Sequence, residues 1–320
     1  MGDILITGAT GFIGFELSMR LLDEGYEVDA FARHVSTRNK ELINKLTGSI
    51  HLIKGDVTDY QSIISALKQS QPRYFIHLAA LTPVRLSFEN PFPYAEVNYK
   101  GTINVAQAIL DYNPKIRLIS ASTMEVYGWQ SRKKPFMEDQ QLNPASPYAV
   151  SKAAADLHLQ MMRKVYNLPI TILRPSNTYG RKYETGFIVE YIITTMLHNG
   201  IVYIGAPEST RDYMHVNDHV SAYLSIIKKG CEGIFNVSTG TGYSNRQLAE
   251  TIAGILGFKG KIVYGSYPPN YPKRPSFADP PYLVMNSGKL TASTGWKPKY
   301  SLREGLKATI SFWRTKIRGQ

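Results

Sequence analysis

Cysteine is almost absent. A single Cys231 stands among 320 residues, so no intrachain disulfide can form and a reducing compartment fits. Long apolar runs are missing as well, and no stretch is long enough to span a bilayer. No basic leader precedes Ile4-Leu5-Ile6, so the sequence predicts a cytoplasmic protein with no membrane attachment. No repeat or low-complexity segment is found. Acidic residues are outnumbered, 25 against 37 Lys and Arg, giving a net charge of +12. Such a balance admits nucleic acid, a membrane surface or anionic small molecules as partners. The basic residues are scattered, however, apart from Arg132-Lys133-Lys134 and a spread from Lys297 to Arg318. Most of them read as solvated surface charge, and no nucleic-acid partner is expected.

What is present is core material, 43% hydrophobic against 19% charged. The length exceeds one small core and falls short of three ordinary domains. In the first half, short β-rich runs at Ile4–Thr7, Glu27–Ala32, His51–Lys54, Tyr74–His77, Arg117–Ser120 and Ile170–Arg174 alternate with helical patterns. Those patterns cover Phe12–Glu24, Tyr60–Lys68, Tyr94–Tyr112 and Tyr148–Tyr166. Strands joined by helices predict an α/β fold, a Rossmann-type doubly wound parallel sheet. After Pro175 the chain is richer in Pro, Tyr and Gly, and Tyr264–Pro281 reads as a long loop. The expected division is a dinucleotide-binding domain over 1–175, with a return segment near 211–240. A smaller α/β substrate domain is expected over 176–320.

Thr7-Gly8-Ala9-Thr10-Gly11-Phe12-Ile13-Gly14 follows the first strand and enters a helix. Glycines so spaced permit a tight turn, close approach to a pyrophosphate and close helix–strand packing, with the helix N-terminus facing the phosphates. Three glycines alone are a weak signal; between a first strand and its helix they are a strong one. The end of the second strand decides the dinucleotide. An NAD site carries an acid there, but this chain has Ala32-Arg33, with Arg38 nearby and Asp29 too early. An arginine suits a 2′-phosphate, so NADP is expected ahead of NAD. Asp56-Val57 follows the third strand, where the aspartate is placed to meet the adenine amino group. Ala79-Ala80 after the fourth leaves bare backbone for the cofactor ribose.

Tyr148-Ala149-Val150-Ser151-Lys152 sets a phenol and an ammonium one helical turn apart. The cation favours the phenolate, which predicts a lowered Tyr148 pKa and a general base near neutrality. By chance such a pair is common, usually a core tyrosine and a surface lysine. Its place is what raises it, at the head of the helix after the fifth strand and behind Ser146-Pro147. That strand ends in Ser120-Ala121-Ser122-Thr123-Met124-Glu125-Val126-Tyr127-Gly128, where the Thr123 hydroxyl is placed to hydrogen-bond the substrate oxygen that Tyr148 deprotonates.

With these motifs the chain resembles the extended short-chain dehydrogenase/reductase family, the nucleotide-sugar epimerases and dehydratases. The resemblance covers nearly the whole chain. It includes Asn98 in Val97-Asn98-Tyr99-Lys100-Gly101-Thr102, the stretch Arg174-Pro175-Ser176-Asn177-Thr178-Tyr179-Gly180, the stretch Arg211-Asp212-Tyr213-Met214-His215-Val216, and Gly295-Trp296-Lys297-Pro298. It implies that Asn98 belongs to the cofactor site and that Asn177, Arg211 and Arg274 contact the diphosphate of a nucleotide sugar. It also implies a homodimer that pairs the helices over Tyr94–Tyr112 and Tyr148–Tyr166. On the second of these, Ala149, Ala153, Leu157, Met161 and Val165 form an apolar series, part of which must be buried within the subunit.

Within the family, 4,6-dehydratases carry Thr-Asp-Glu or Thr-Ser-Glu where this chain has Thr123-Met124-Glu125. A C4 ketone acidifies the C5 proton, and Glu125 is placed to remove it, although Met124 supplies no proton to the departing hydroxyl. The bland reading of Glu125 is a solvent-facing residue at a strand end. The corner at Arg33 looks like that of NADP-using dehydratases. The expected activity is a 4,6-dehydratase, with 4-epimerase next and keto-sugar reductase third. A non-catalytic dinucleotide-binding protein would suit the basic composition, but such relatives usually lose the tyrosine or lysine that this chain keeps.

Overall fold

The structure is a computed structural model that describes residues 3–33, 48–130, 133–269, 271, 275 and 278–319. Strand β1 (Ile4–Thr7) is buried along its whole length, as expected of a parallel strand covered on both faces. It pairs with β2 (Val28–Ala32) and β4 (Tyr74–His77), and β2 pairs with β3 (His51–Lys54). Beyond β4 lie β5 (Arg117–Ala121), β6 (Ile170–Pro175) and β10 (Gly233–Val237). Among the described residues the sheet is seven-stranded and wholly parallel, in the order β3-β2-β1-β4-β5-β6-β10.

Helices cover both faces. One core joins Leu17 and Leu21 of α1 (Phe12–Asp23) to Tyr223 and Ile226 of a later helix, α7 (Val216–Lys229), and to Leu290 of α9 (Gly288–Thr294). The opposite core takes Ile63 and Leu67 from α2 (Tyr60–Ser70), Val105 and Ile109 from α4 (Gly101–Tyr112), and Leu159 and Met162 from α5 (Pro147–Val165). The strand order reverses between β1 and β4, and in such sheets ligands bind at that switch point, outside the strand C-termini.

The helical pattern expected over Tyr94–Tyr112 is not one continuous helix. After the short α3 (Val84–Glu89) and a single turn at Phe92–Tyr94, residues Ala95–Lys100 form a π-helical segment before α4 begins. The wider turn coincides with an inward Asn98, which is fully buried and bonded across to a neighbouring loop and helix.

The remaining elements build a separate core. Strands β7 (Asn177–Tyr179), β9 (Thr210–His215), β11 (Gly242–Ser244) and β13 (Tyr282–Leu283) form a small sheet, while β8 (Val202–Ile204) pairs with β12 (Ile262–Tyr264). Against them pack Ile192 and Ile193 of α6 (Ile188–Leu197), Leu248 and Ile252 of α8 (Asn245–Leu256), and Leu306 and Trp313 of α10 (Leu302–Arg318). The helices α8 and α10 open on capping boxes, Ser244 with Gln247 and Ser301 with Glu304. Among the described residues, no helix is long and apolar enough to cross a membrane.

Candidate active site

The glycine motif turns tightly where β1 ends. Gly8 sits at φ +73°, and a Cβ on it would lie 2.8 Å from the Ala79 nitrogen. A Cβ on Gly14 would fall 2.1 Å from the Gly8 carbonyl oxygen, so α1 can cross this close only with glycine there. Gly11 is the N-cap of α1 and provides no side-chain cap, which leaves the N–H groups at Phe12 and Ile13 without a side-chain acceptor. The Ala79 N–H donates to Thr7 Oγ1 at 3.2 Å, so the segment carrying Ala79-Ala80 is tied to the end of β1.

Arg33 follows β2, half-exposed, with Nη1 3.6 Å from Asp56 Oδ2. The other Asp56 oxygen accepts from the Thr58 N–H and hydroxyl, both at 2.9 Å. Val57 is buried, and a Cβ on Gly101 would lie 2.9 Å from its side chain, so α4 passes hard against it. Asp29 is buried and engages His51 at 3.3 Å, away from the strand end. Asn98 reaches neither surface nor cleft. Its Nδ2 donates to the Leu81 carbonyl and Ser151 Oγ, both at 3.0 Å, and its Oδ1 accepts from the Leu81 N–H at 2.8 Å. It bolts the loop after β4 to the helix that bears Tyr148. Arg38 and Arg274 lie outside the described residues.

Tyr148 and Lys152 stand near the head of α5, where Pro147 occupies the first turn and Ser146 caps it by accepting from the Ala149 N–H at 3.0 Å. Both side chains are buried. Thr123 caps the single 3₁₀ turn Met124–Val126 and hydrogen-bonds the Tyr148 hydroxyl, while Glu125, partly exposed on the same turn, acts on that phenol through its charge. The expected fall in the Tyr148 pKa is not what the structure shows. Burial pushes the phenol up, outweighing the hydrogen bond from Thr123, and Glu125 adds to the rise. Lys152 donates to the Ala121 carbonyl, and its own pKa is pushed down to about 8 by burial. Its cation helps burial to hold His77 neutral, at about 3. Met124 is buried in an apolar cluster with Tyr127, Phe136, Leu283 and Met285.

Asn177 opens β7 beside β9, in register with Tyr213. Arg211 lies buried on β9, donating to the Thr210 carbonyl at 2.9 Å and ion-pairing with Asp279. Its neighbour Asp212 is fully buried, which pushes its carboxyl up to about 6, although it accepts from Thr239 and from the Gly240 N–H.

The GDP-mannose 4,6 dehydratase family matches residues 5–309. The chain is 31% identical over 323 residues to UDP-glucose 4-epimerase of Mycolicibacterium smegmatis, covering 98% of each. It is 32% identical over 319 residues to human dTDP-D-glucose 4,6-dehydratase, covering 97% of this chain and 89% of that one. The chain belongs to the nucleotide-sugar epimerase and dehydratase family. Solved members share its fold throughout. UDP-glucose 4-epimerase of Thermotoga maritima with UDP-glucose gives a TM-score of 0.88 at 30% identity, over 98% of this chain and 99% of that one. A Bacillus anthracis dTDP-glucose 4,6-dehydratase in complex with NAD gives 0.87 at 26% identity, over 99% and 98%.

Two features of this family member escape a reading of sequence. Arg174 on β6 and Asp156 on α5 form a buried, bidentate ion pair, Nε to Oδ2 and Nη2 to Oδ1 both at 2.9 Å. The Arg174 Nη1 goes on to Tyr127 Oη at 2.9 Å and the Glu138 carbonyl at 3.0 Å. Elsewhere, the Arg181 guanidinium lies between the rings of Phe12, in the glycine motif, and Phe187, at the head of α6. No local pattern announces either arrangement, because the partners come from distant segments.

Proposed function

We propose that this enzyme is an NADP-using nucleotide-sugar 4,6-dehydratase. The observation that carries the reading is Glu125, a carboxylate on the turn that Thr123 caps, close enough to Tyr148 for its charge to raise the phenol's pKa. A dinucleotide fits the residues at β1 and α1, where side chains on Gly8 and Gly14 would strike backbone and the helix N-terminus has no side-chain cap. When bound, the nicotinamide supplies the redox chemistry, accepting a hydride from the sugar C4 and returning one to C6.

The chain's own groups handle the protons. Tyr148 Oη takes the proton of the C4 hydroxyl, and Thr123 Oγ1 hydrogen-bonds the same sugar oxygen. Burial alone disfavours a phenolate, so the Lys152 cation on the same helix face is what offsets it during catalysis. The C4 ketone acidifies C5. Glu125 removes the C5 proton, the C6–O bond breaks, and Glu125 returns the proton to the departing hydroxyl so that water leaves; C5 regains a proton as hydride reaches C6, balanced by the one Tyr148 took from the C4 hydroxyl. Asn177, Arg211 and Arg274 would hold the diphosphate, with Arg211 exchanging part of its pairing with Asp279 for phosphate oxygens.

Arg33 supports the NADP preference because its guanidinium is half-exposed at the end of β2, although it faces Asp56 at 3.6 Å. Helix α5 supports a homodimer. Val150, Leu157, Met161 and Val165 are 53, 55, 39 and 65% exposed and form one apolar stripe at helical spacing, joined by Tyr99. Ala149 and Ala153, expected in that stripe, are buried inside the subunit instead, since their face of α5 packs inward.

One observation favours a second reading, a 4-epimerase. Met124 is buried among apolar side chains, so no residue at that position stands ready to protonate a leaving hydroxyl beside Glu125. Inversion at C4 needs no base at C5. The test is a panel of UDP-, dTDP-, GDP- and CDP-hexoses with product mass. A product lighter by one water supports the dehydratase, and an isomer of unchanged mass supports the epimerase. Glu125→Gln should slow water release by roughly a hundredfold to ten-thousandfold while leaving dinucleotide binding intact. Turnover at the wild-type rate would replace the dehydratase reading with the epimerase one.

A further inference from the structure

The network beneath Lys152 serves no step so far described. Asp156 lies one turn beyond Lys152 on α5 and is 1% exposed. Its Oδ2 accepts from Ser122 Oγ at 2.7 Å and Arg174 Nε at 2.9 Å; its Oδ1 accepts from Arg174 Nη2 at 2.9 Å and Gln160 Nε2 at 2.7 Å. Ser122 is in turn fixed to β6, its N–H donating to the Leu173 carbonyl at 2.7 Å. Ser122 stands between Ala121, whose carbonyl receives the Lys152 ammonium, and Thr123. A buried ion pair of this kind is weak evidence for stability, because desolvation offsets much of the attraction. Its placement is informative for another reason. One carboxylate binds the strand end that presents Thr123 and also places a fixed negative charge one turn from the lysine.

We propose that Asp156 is a positioning residue of this active site, holding the Ala121–Thr123 strand end against α5 and setting a fixed negative charge one helical turn from Lys152. The proposal rests on the reading of Tyr148, Lys152 and Thr123 as the catalytic group. The charged and titratable groups around Lys152 are few. His77 reaches it from β4 and is neutral, Tyr148 precedes it on α5, β5 offers the Ala121 carbonyl, and β6 brings the Arg174 cation, which is paired with Asp156. Against burial, which drives the ammonium toward its neutral form, Asp156 is the charge that opposes the change.

The test reads Lys152 itself and needs no substrate. Lysine labelled with ¹³C and ¹⁵N is titrated by NMR in the full chain, with the Lys152 signal assigned through Lys152→Arg. In the wild type it should titrate near 8. In Asp156→Asn it should titrate about one pH unit or more lower, since an adjacent opposite charge is worth that much. An unchanged midpoint in the folded variant overturns the proposal. Because Asp156→Asn strands Arg174 as a buried unpaired charge, the double variant Asp156→Asn with Arg174→Gln removes both charges and serves where the single one does not fold. A smaller fall is expected there, because a cation leaves together with the carboxylate, and a midpoint at or above the wild-type one overturns the proposal. Dinucleotide-dependent oxidation of a nucleotide sugar, measured against pH with Tyr148→Phe as control, separates the two ideas. A Tyr148→Phe variant of full activity sinks the catalytic assignment, whereas an unmoved Lys152 midpoint sinks only the role of Asp156.

Discussion

Gly8, Gly11 and Gly14 shape their turn by lacking side chains, whereas Arg211 carries a long one that is buried and paired with Asp279 on a distant segment. The first arrangement is a matter of backbone: a positive φ at Gly8, a helix crossing at Gly14 and an uncapped helix start. Its three glycines lie within one short motif, although Gly8 also packs against Ala79 after β4. The second needs β9 and the segment before β13 to meet before the site exists at all. On the function proposed above, the cofactor side is therefore written largely in one motif, and the substrate side only by the fold. The sharpest way to break this contrast is Gly14→Val. The added side chain starts 2.1 Å from the Gly8 oxygen, where only backbone can yield. Overpacking of this kind costs about 1–3 kcal/mol and often more. We expect a lower unfolding temperature and no measurable NADPH binding by fluorescence titration. Wild-type affinity in the variant would mean that α1 can retreat without loss, and that the motif is not a cradle.

Tyr148→Phe leaves both sides of the site standing and removes one hydroxyl. Hydride transfer from any nucleotide sugar should fall by roughly a hundredfold to ten-thousandfold, measured as single-turnover nicotinamide absorbance, with NADPH affinity unchanged. A drop in cofactor affinity of the same size would instead make Tyr148 part of the cofactor cradle.

The same contrast explains what could be read from sequence. Strands β1 and β4 are near-continuous apolar runs, and like the shorter apolar pair in β3 they appear where the pattern places them. The helix expected over Tyr94–Tyr112 contains a π-helical segment where Asn98 turns in to bind Leu81 and Ser151, partners that no local pattern shows. Periodicity found the apolar residues of α5 but not which of them face out. Ala149 and Ala153 pack inward because α5 lies on the sheet and on the Met124 cluster, a fact of tertiary contact. The Tyr148 phenol illustrates the limit for electrostatics. A neighbouring lysine is evident from spacing, but the burial that pushes the phenol up is a property of the folded site. The second core, with α6, α8 and α10, has clear capping boxes at Ser244 and Ser301, yet its strands are two or three residues long in β8, β11 and β13. Runs that short carry no period.

A smaller effect is expected on the exposed stripe of α5. Leu157→Glu sets a charge at a position that is 55% exposed in the single subunit, so the isolated fold should tolerate it. In a dimer that covers the stripe, the same charge would be buried without a partner, at a cost of several kcal/mol. Sedimentation at micromolar concentration should show a dimer for the wild type and a monomer for Leu157→Glu, with unchanged thermal unfolding at low concentration. A monomeric wild type would break the dimer proposal outright.

The smallest expected change lies at the corner where the two modes of construction meet, at Arg33. This residue belongs to the locally written side, since it directly follows β2, yet it acts through its side chain. Its guanidinium is 55% exposed and faces Asp56 at 3.6 Å, so a 2′-phosphate arriving there must share the cation with a carboxylate. Exposure to solvent screens both interactions, and exposed pairs are commonly worth no more than about 1 kcal/mol. Asp56 does not bind Arg33 with its full acceptor capacity, because one oxygen is taken by Thr58. The net gain for the phosphate is therefore positive but modest. Arg33→Asp reverses the sign of the corner and sets a carboxylate against both Asp56 and the incoming phosphate. We expect NADP to bind about tenfold more weakly, equivalent to about 1.4 kcal/mol, while NAD, with a 2′-hydroxyl able to donate to the new carboxylate, binds as well or better. Calorimetric titration of both dinucleotides into both proteins checks this. Equal affinity for NADP and NAD in the wild type would show that Asp56 neutralises Arg33 completely, and the NADP preference would be withdrawn.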